Sequence, residues 1–432
     1  MKKILIILLL LFISINVAII FKTPLVSWDE AVYIGIGKFI FSNAQSGLFE
    51  SFRPLFLSFI LGGIWKLGLN AVSFGRAIVL LFSAGNLILF YLIAKKYTTK
   101  NLAIMGLIIF ALVPIYFDFS TKIMTGVVAS FFVLLSFYYF LKGKYSLVAF
   151  FSGLATLTRF PAGIFFIFFL LWSLKKKKFI FIKMIFLFLI TISPFFLVNI
   201  FFGNGLIKPL LDAISHQNNY VFSQDFFFYP KLLFLSSIFL VFSLPGLYYS
   251  IKNKRYELFF FSIIPLLYFT YIVNKQLRFV NLFLPFVVLI AVYGFYHMLK
   301  KSKTNPLNSL ALLLFVLISL GISVNMISDV KFDSNIGPYE FFSEKGLTII
   351  TGNPIFTAYS DNKFIPVYFD VYKGYDSFVF YQDQVDYYIL SDVYPCETYL
   401  DPESCKRTKN ELINKFLSKN YVETIQQYYI FD

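Results

Sequence analysis

The chain has 432 residues, of which 58% are hydrophobic, 21% aromatic and only 14% charged, with a formal net charge of +15. Its mean hydropathy of +0.74 excludes the ordinary soluble globular classes, and repeated apolar runs of about twenty residues point to a polytopic membrane protein. The basic excess belongs to residues 1–327, with 29 Lys and Arg against 7 Asp and Glu, whereas residues 328–432 carry 9 against 16. That division reads as a membrane-topology signal, so no nucleic-acid partner is expected.

The first apolar run, Met1 to Phe21, is too long for a signal-peptide core and lacks a small-x-small cleavage site, so it reads as an uncleaved first span. An outer loop over residues 22–72 follows, containing SWDEAVYIGIGKFIFSNAQSGLFESFR at 27–53. Only seven carboxylates precede residue 328 (Asp29, Glu30, Glu50, Asp118, Asp212, Asp225 and Glu257), and two of them stand side by side here.

Further apolar runs at 73–94, 101–117, 124–141, 145–158, 160–174, 179–201, 232–250, 257–273, 279–299 and 307–327 bring the expected spans to eleven. With the N-terminus in the cytoplasm, every lysine-rich cluster falls on the cytoplasmic side, including Lys95-Lys96, Lys175 to Lys178 and Lys300-Lys301. This parity makes residues 53–69 an interfacial helix and not a span. It also makes 145–174 a hairpin of two short helices with Arg159-Phe160-Pro161 at its turn. About fifteen residues per helix reach only ~22 Å, short of the ~30 Å hydrocarbon core. Arg159 is therefore expected below the outer surface, beside an aqueous pocket or an anion.

From residue 328 onward, short strand-like runs (347–351, 364–369, 386–390, 428–431) and an amphipathic helix near 402–417 suggest a small α/β domain, with Leu412, Ile413, Phe416 and Leu417 facing its sheet. Cys396 and Cys405 form a disulfide if this region is extracytoplasmic and stay free thiols if it is cytosolic. The expected architecture is mostly α. It is a membrane domain of about 11 transmembrane helices over 1–327, followed by a small extracytoplasmic α/β domain over 328–432.

With only short loops inside, the chemistry is expected on the outer face. Trp28 and the apolar stretch 31–41 would hold Asp29 and Glu30 at the interface, where desolvation raises a carboxylate's proton affinity, as a general base requires. Against this stands the plain reading of an exposed acid pair after a span. Arg53, Arg159, Lys275 and Arg278 each flank an interfacial helix or a turn and could together bind a phosphate or pyrophosphate; for any one of them a snorkelling side chain is the ordinary account. Asp118 and His216 are candidates for an acceptor or metal contact. With His297 the only other histidine, no histidine-based metal site can be assembled, and a divalent metal is compatible with the sequence but not required by it. An outward-facing site has no cytosolic nucleotides, so a group transfer there needs a preactivated donor such as a polyprenyl-phosphate sugar.

Several segments resemble the multispan glycosyltransferases of the C superfamily (GT-C), in particular the protein mannosyltransferase and aminoarabinose transferase group. They are WDEAVYIGIGKFIF, RPLFLSFILGGIWKLG with FGRAIVLLFSAGNLILFYLIAKKY, STKIMTGVVASFFVLLSFYYFL, GLATLTRFPAG and KQLRFVNLFLPF, spread over residues 1–300. The resemblance implies a GT-C fold and an inverting transfer from a dolichyl- or undecaprenyl-phosphate sugar to a glycan, lipid or protein hydroxyl. It implies Asp29 as catalytic base, Glu30 as a neighbour contacting acceptor or donor, and Arg53, Lys275 and Arg278 on the donor-phosphate side. One departure is Gly126, where many relatives carry an aspartate. The alternatives are a secondary transporter or lipid flippase, which predicts internal repeats that are not visible, an oligosaccharyltransferase, whose WWDYG motif is missing, and an inactive scaffold. A multi-pass cell-membrane protein of prokaryotic origin is expected.

Overall fold

A computed structural model of the chain describes residues 2–23, 25–174, 178–217, 223–302, 306–328, 339, 341–342, 346–367, 371–390, 396, 401–425 and 428–431. Of the basic run at 175–178, only Lys178 falls within them. In chain order the helices are α1 (Lys2–Lys22), α2 (Trp28–Phe41), α3 (Phe56–Lys66), α4 (Ala71–Tyr97), α5 (Lys100–Ala111), α6 (Pro114–Phe119), α7 (Thr125–Phe140) and α8 (Tyr145–Thr158). They continue as α9 (Gly163–Ser173), α10 (Lys178–Phe201), α11 (Lys208–Gln217), α12 (Phe228–Ser236), α13 (Ser243–Lys252), α14 (Tyr256–Tyr271), α15 (Leu284–Ser302) and α16 (Pro306–Ser328). Each expected apolar run falls in helices, those at 101–117 and 232–250 in separate pieces. Among the described residues, four helices (α1, α4, α10 and α15) are long and apolar enough to cross a membrane, or up to five if one bent pair counts as a single span. Helix α10 leaves Ile182, Phe186, Leu189 and Leu197 exposed along its length, an apolar surface that suits hydrocarbon and not water.

The chain divides into two compact units. The first comprises residues 1–19, 77–205 and 222–331, and the second residues 20–76, 206–221 and 332–432.

The first unit is a helical body with a phenylalanine core, in which Phe137, Phe169 and Phe286 surround Phe261 with ring centroids 4.7, 4.9 and 5.1 Å from it. Helix α8 ends where Arg159 turns extended (φ −157°, ψ 112°), and Pro161 opens a 3-10 turn that restarts the helix as α9; two short helices thus meet at the expected break. The run at 232–250 departs from a single span. Its helices meet at 118°, with Ser237 extended between them. The break is stabilised by Ser319 of α16, whose Oγ accepts from Phe239 N at 3.1 Å and lies 3.2 Å from Ser237 Oγ.

The second unit joins the segment after the first apolar helix to the C-terminal residues. Its sheet consists of β1 (Thr348–Thr351), β2 (Lys363–Pro366), β3 (Tyr387–Leu390), β4 (Tyr421–Ile425) and β5 (Tyr428–Phe431), in the order β2-β1-β3-β5-β4. Strands β1, β2 and β3 run parallel, and β5 is antiparallel to both β3 and β4. A four-residue helix α17 (Phe356–Tyr359), α18 (Val371–Tyr381) and α19 (Pro402–Leu417) complete it. Leu412 and Phe416 of α19 are buried with Phe378, Tyr388 and the Cys396–Cys405 disulfide. Leu417, expected to face the sheet, is 58% exposed.

Helix α2 is built into this unit at several points. Lys38, itself buried, pairs with Asp361 at 3.1 Å and donates to Ser360 O at 2.9 Å. Thr357 Oγ1 donates to Ala31 O at 3.0 Å, and Val26 N donates to Tyr359 Oη at 2.9 Å. The loop after α2 adds Gly47 beside Lys363 as a parallel bridge on β2. Helix α3 packs on α2 through Gly37 and Gly62, so closely that a Cβ on Gly62 would lie 2.4 Å from Gly37 O. Gly62→Leu is therefore expected to push the two helices apart, costing about 3 kcal/mol and lowering the melting temperature in detergent. Gly63→Leu, whose Cβ would meet only Phe41 at 4.0 Å, is the control expected to be neutral, and equal melting of the two variants would contradict this packing account.

Candidate functional site

The acidic site lies in the second unit. Ser27 stops the chain short of helical geometry (φ −79°, ψ 168°), so Asp29 and Glu30 fall in the first turn of α2, where the helix dipole favours carboxylates. Glu30 points inward. Its Oε2 accepts from Ser27 N at 2.7 Å, its Oε1 lies 3.7 Å from Arg76 Nε, and only 2% of the residue is exposed. Arg76 also donates to Leu25 O at 2.7 Å, which ties the start of α4 to the residues just before α2.

Asp29 is held differently. Arg53 Nη1 lies 2.7 Å from Asp29 Oδ1, while Arg53 Nε lies 2.7 Å from Glu50 Oε2. One guanidinium is thus shared by two carboxylates, and its Cζ stands 5.6 Å from the centroids of both Tyr33 and Phe52. Burial works against the Arg53 charge, but Glu50 and then Tyr33 outweigh it and hold the guanidinium's proton affinity above the ordinary arginine value. A guanidinium in this contact stabilises the charged form of a carboxylate, an effect opposite to the desolvation the sequence suggests.

The other cations belong to the first unit. Arg159, at the α8–α9 turn, donates from Nη1 to Thr125 Oγ1 at 3.2 Å and lies with Cζ 4.4 Å from the Phe279 ring. Arg278 approaches the same ring at 5.7 Å. Lys275 is buried and donates to Gln224 O at 3.1 Å, and the neighbouring Gln276 is pinned by Tyr229, whose Oη donates to its carbonyl at 3.2 Å. Arg159 and Arg278 therefore gather at Phe279, with Lys275 on the same chain segment. Gly126, in the first turn of α7, faces this segment, and a Cβ there would lie 2.9 Å from Arg278 O and 3.4 Å from Asn281 Cβ. A side chain at 126 would displace the basic turn.

Asp118 pairs with Lys122 at 2.8 Å one turn along the chain. His216 stands in α11, and its side chain lies outside the described residues. Among the described residues no three His, Cys, Asp or Glu side chains come together to hold a metal. The sequence reading passed over Glu50 and Arg76. Glu50 carried a signal, since it stands three residues before Arg53 in a chain poor in carboxylates.

Arg53→Met leaves Asp29 and Glu50 without this counter-charge, with an expected cost of about 3–5 kcal/mol. A buried carboxylate deprived of its cation binds its proton more tightly in the folded than in the unfolded chain, so the deficit should shrink as pH falls from 8 toward 5. Thermal melting across that range checks this, and a deficit independent of pH would contradict it.

The sequence profile of the dolichyl-phosphate-mannose-protein mannosyltransferase family matches residues 53–197. No curated protein sequence matches the chain. Among solved structures, ArnT from Cupriavidus metallidurans bound to undecaprenyl phosphate is similar with a TM-score of 0.66 at 11% identity, over 98% of this chain and 97% of that one. The same protein in the apo state gives 0.64 at 14% identity, with the same coverage. The oligosaccharyltransferase of Archaeoglobus fulgidus, tethered with an acceptor peptide, gives 0.55 at 12% identity over 89% of this chain and 69% of that one.

Proposed function

We propose, from the premise that the chain has the fold of the C-superfamily (GT-C) membrane glycosyltransferases, that it is itself a membrane glycosyltransferase drawing on a polyprenyl-phosphate sugar. The observation that carries this reading is Asp29, held by Arg53 in the first turn of the helix after the first apolar segment. The fold around it is similar over nearly its whole length to a protein solved with undecaprenyl phosphate.

In the proposed reaction an acceptor hydroxyl gives its proton to Asp29 as its oxygen attacks the anomeric carbon of the donor sugar. The bond from that carbon to the phosphate oxygen breaks, the sugar inverts, and polyprenyl phosphate leaves carrying the negative charge. Stabilising that charge is work for guanidinium and ammonium groups, and we assign it to Arg159, Lys275 and Arg278, with Arg53 beside the base. Glu30 is assigned to fixing the first turn of α2, so that Asp29 is presented in one geometry. Asp118, with its lysine partner, and His216 retain only the weaker assignment of acceptor-side residues.

The same reading puts the N-terminus in the cytoplasm and the C-terminal domain outside it, where the Cys396–Cys405 disulfide would be stable. The acceptor is a glycan, lipid or protein hydroxyl.

Purified protein in lipid nanodiscs, given a panel of polyprenyl-phosphate sugars, tests the assignment. Arg159→Gln and Arg278→Gln are each expected to raise the KM for the donor about 10- to 100-fold, with little change in the KM for the acceptor. Absence of transfer from every donor would overturn the reading in favour of a transporter or an inactive scaffold.

A further inference from the structure

The structure sets two requirements on Asp29 that pull against each other. A base should hold a proton readily when the acceptor delivers it, yet a guanidinium 2.7 Å away favours the bare carboxylate. Glu50 offers a way to meet both. Its carboxylate is 3% exposed, its Oε2 lies 2.7 Å from Arg53 Nε, and its backbone carbonyl accepts from Arg53 N at 3.1 Å, so one tight turn fixes the two side chains together.

We propose that Glu50 is a positioning residue that keeps Asp29 basic, because it compensates the Arg53 charge from the other edge of the same guanidinium. This inference rests on the glycosyltransferase reading above. The Asp29–Arg53–Glu50 trio carries one net negative charge, whereas Asp29 and Arg53 alone would be neutral.

Among the described residues, other charged groups around α2 form ion pairs of their own. Glu30 faces Arg76 from α4, and Lys38 faces Asp361 from the C-terminal segment. Tyr33 lies against Arg53, and Tyr359 binds Val26 N. Among the described contacts, Glu50 is the carboxylate that Arg53 meets on the edge away from Asp29. The geometry also explains why a cation can stand beside the base at all, since Arg53 can face departing phosphate without weakening the base.

The test is the pH dependence of kcat/KM for sugar transfer by wild type, Glu50→Gln and Glu50→Asp, with thermal melting of each. The Gln side chain still accepts from Arg53 Nε but lacks the charge. Its acid limb is expected to move about one pH unit lower and its plateau to fall about tenfold, at near-wild-type melting, and Glu50→Asp should recover most of both. An acid limb that stays in place while melting falls would make Glu50 merely structural and overturn the inference, leaving the function untouched. A wild type that transfers no sugar from any donor would remove the function reading itself, and this inference with it.

Discussion

The Arg53 guanidinium, shared between Asp29 and Glu50, is the interaction on which the candidate site depends. Three charged side chains are largely withdrawn from water there, a condition that costs several kcal/mol per ion unless each charge is met at good geometry. Both contacts are 2.7 Å, and two aromatic rings flank the cation. The arrangement fixes the orientation of the largely buried Asp29. It also couples the proposed base to a cation suited to a phosphate, the pairing that the proposed transfer from a phosphate-linked sugar would use.

Around that trio, the second unit behaves as a clamp on α2. A buried lysine pair, a threonine hydroxyl on the Ala31 carbonyl, a strand-like bridge at Gly47 and the glycine contact with α3 restrain the helix along its length. Groups that perform acid–base chemistry gain from such restraint, because small displacements of a base from its proton donor cost large factors in rate. In the first unit the basic turn is restrained by comparable means. Tyr229 pins Gln276, and the close approach at Gly126 leaves the Arg278 carbonyl in contact with α7.

The helices were legible in the sequence because apolar runs dictate them. The helix break at Arg159 followed from charge parity and from Pro161, and four of the C-terminal strands (β1, β2, β3 and β5) followed from short strand-like runs. What the sequence hid depends on distant partners. The break at Ser237 needs Ser319, 82 residues away. The Lys38–Asp361 pair joins residues far apart in sequence, so the membership of 20–76 and 332–432 in one unit could not be read from either stretch. Strand β4 (YVETI) is paired to β5 beside it, and α18 carries its apolar period only weakly, in Val371, Tyr375 and Phe378. At the site, Asp29 and Glu30 stood out by composition, but their different environments did not. Adjacent residues in a first helical turn point in different directions, and only the fold decides that one meets Arg76 and the other Arg53.

The most direct measurement is transfer of labelled sugar from polyprenyl-phosphate donors by wild type and Asp29→Asn at matched expression and melting temperature. Transfer by the wild type that falls by about a thousandfold in the variant, with donor binding retained, is the result this account predicts. Equal transfer by the two proteins would remove Asp29 from the chemistry and contradict it.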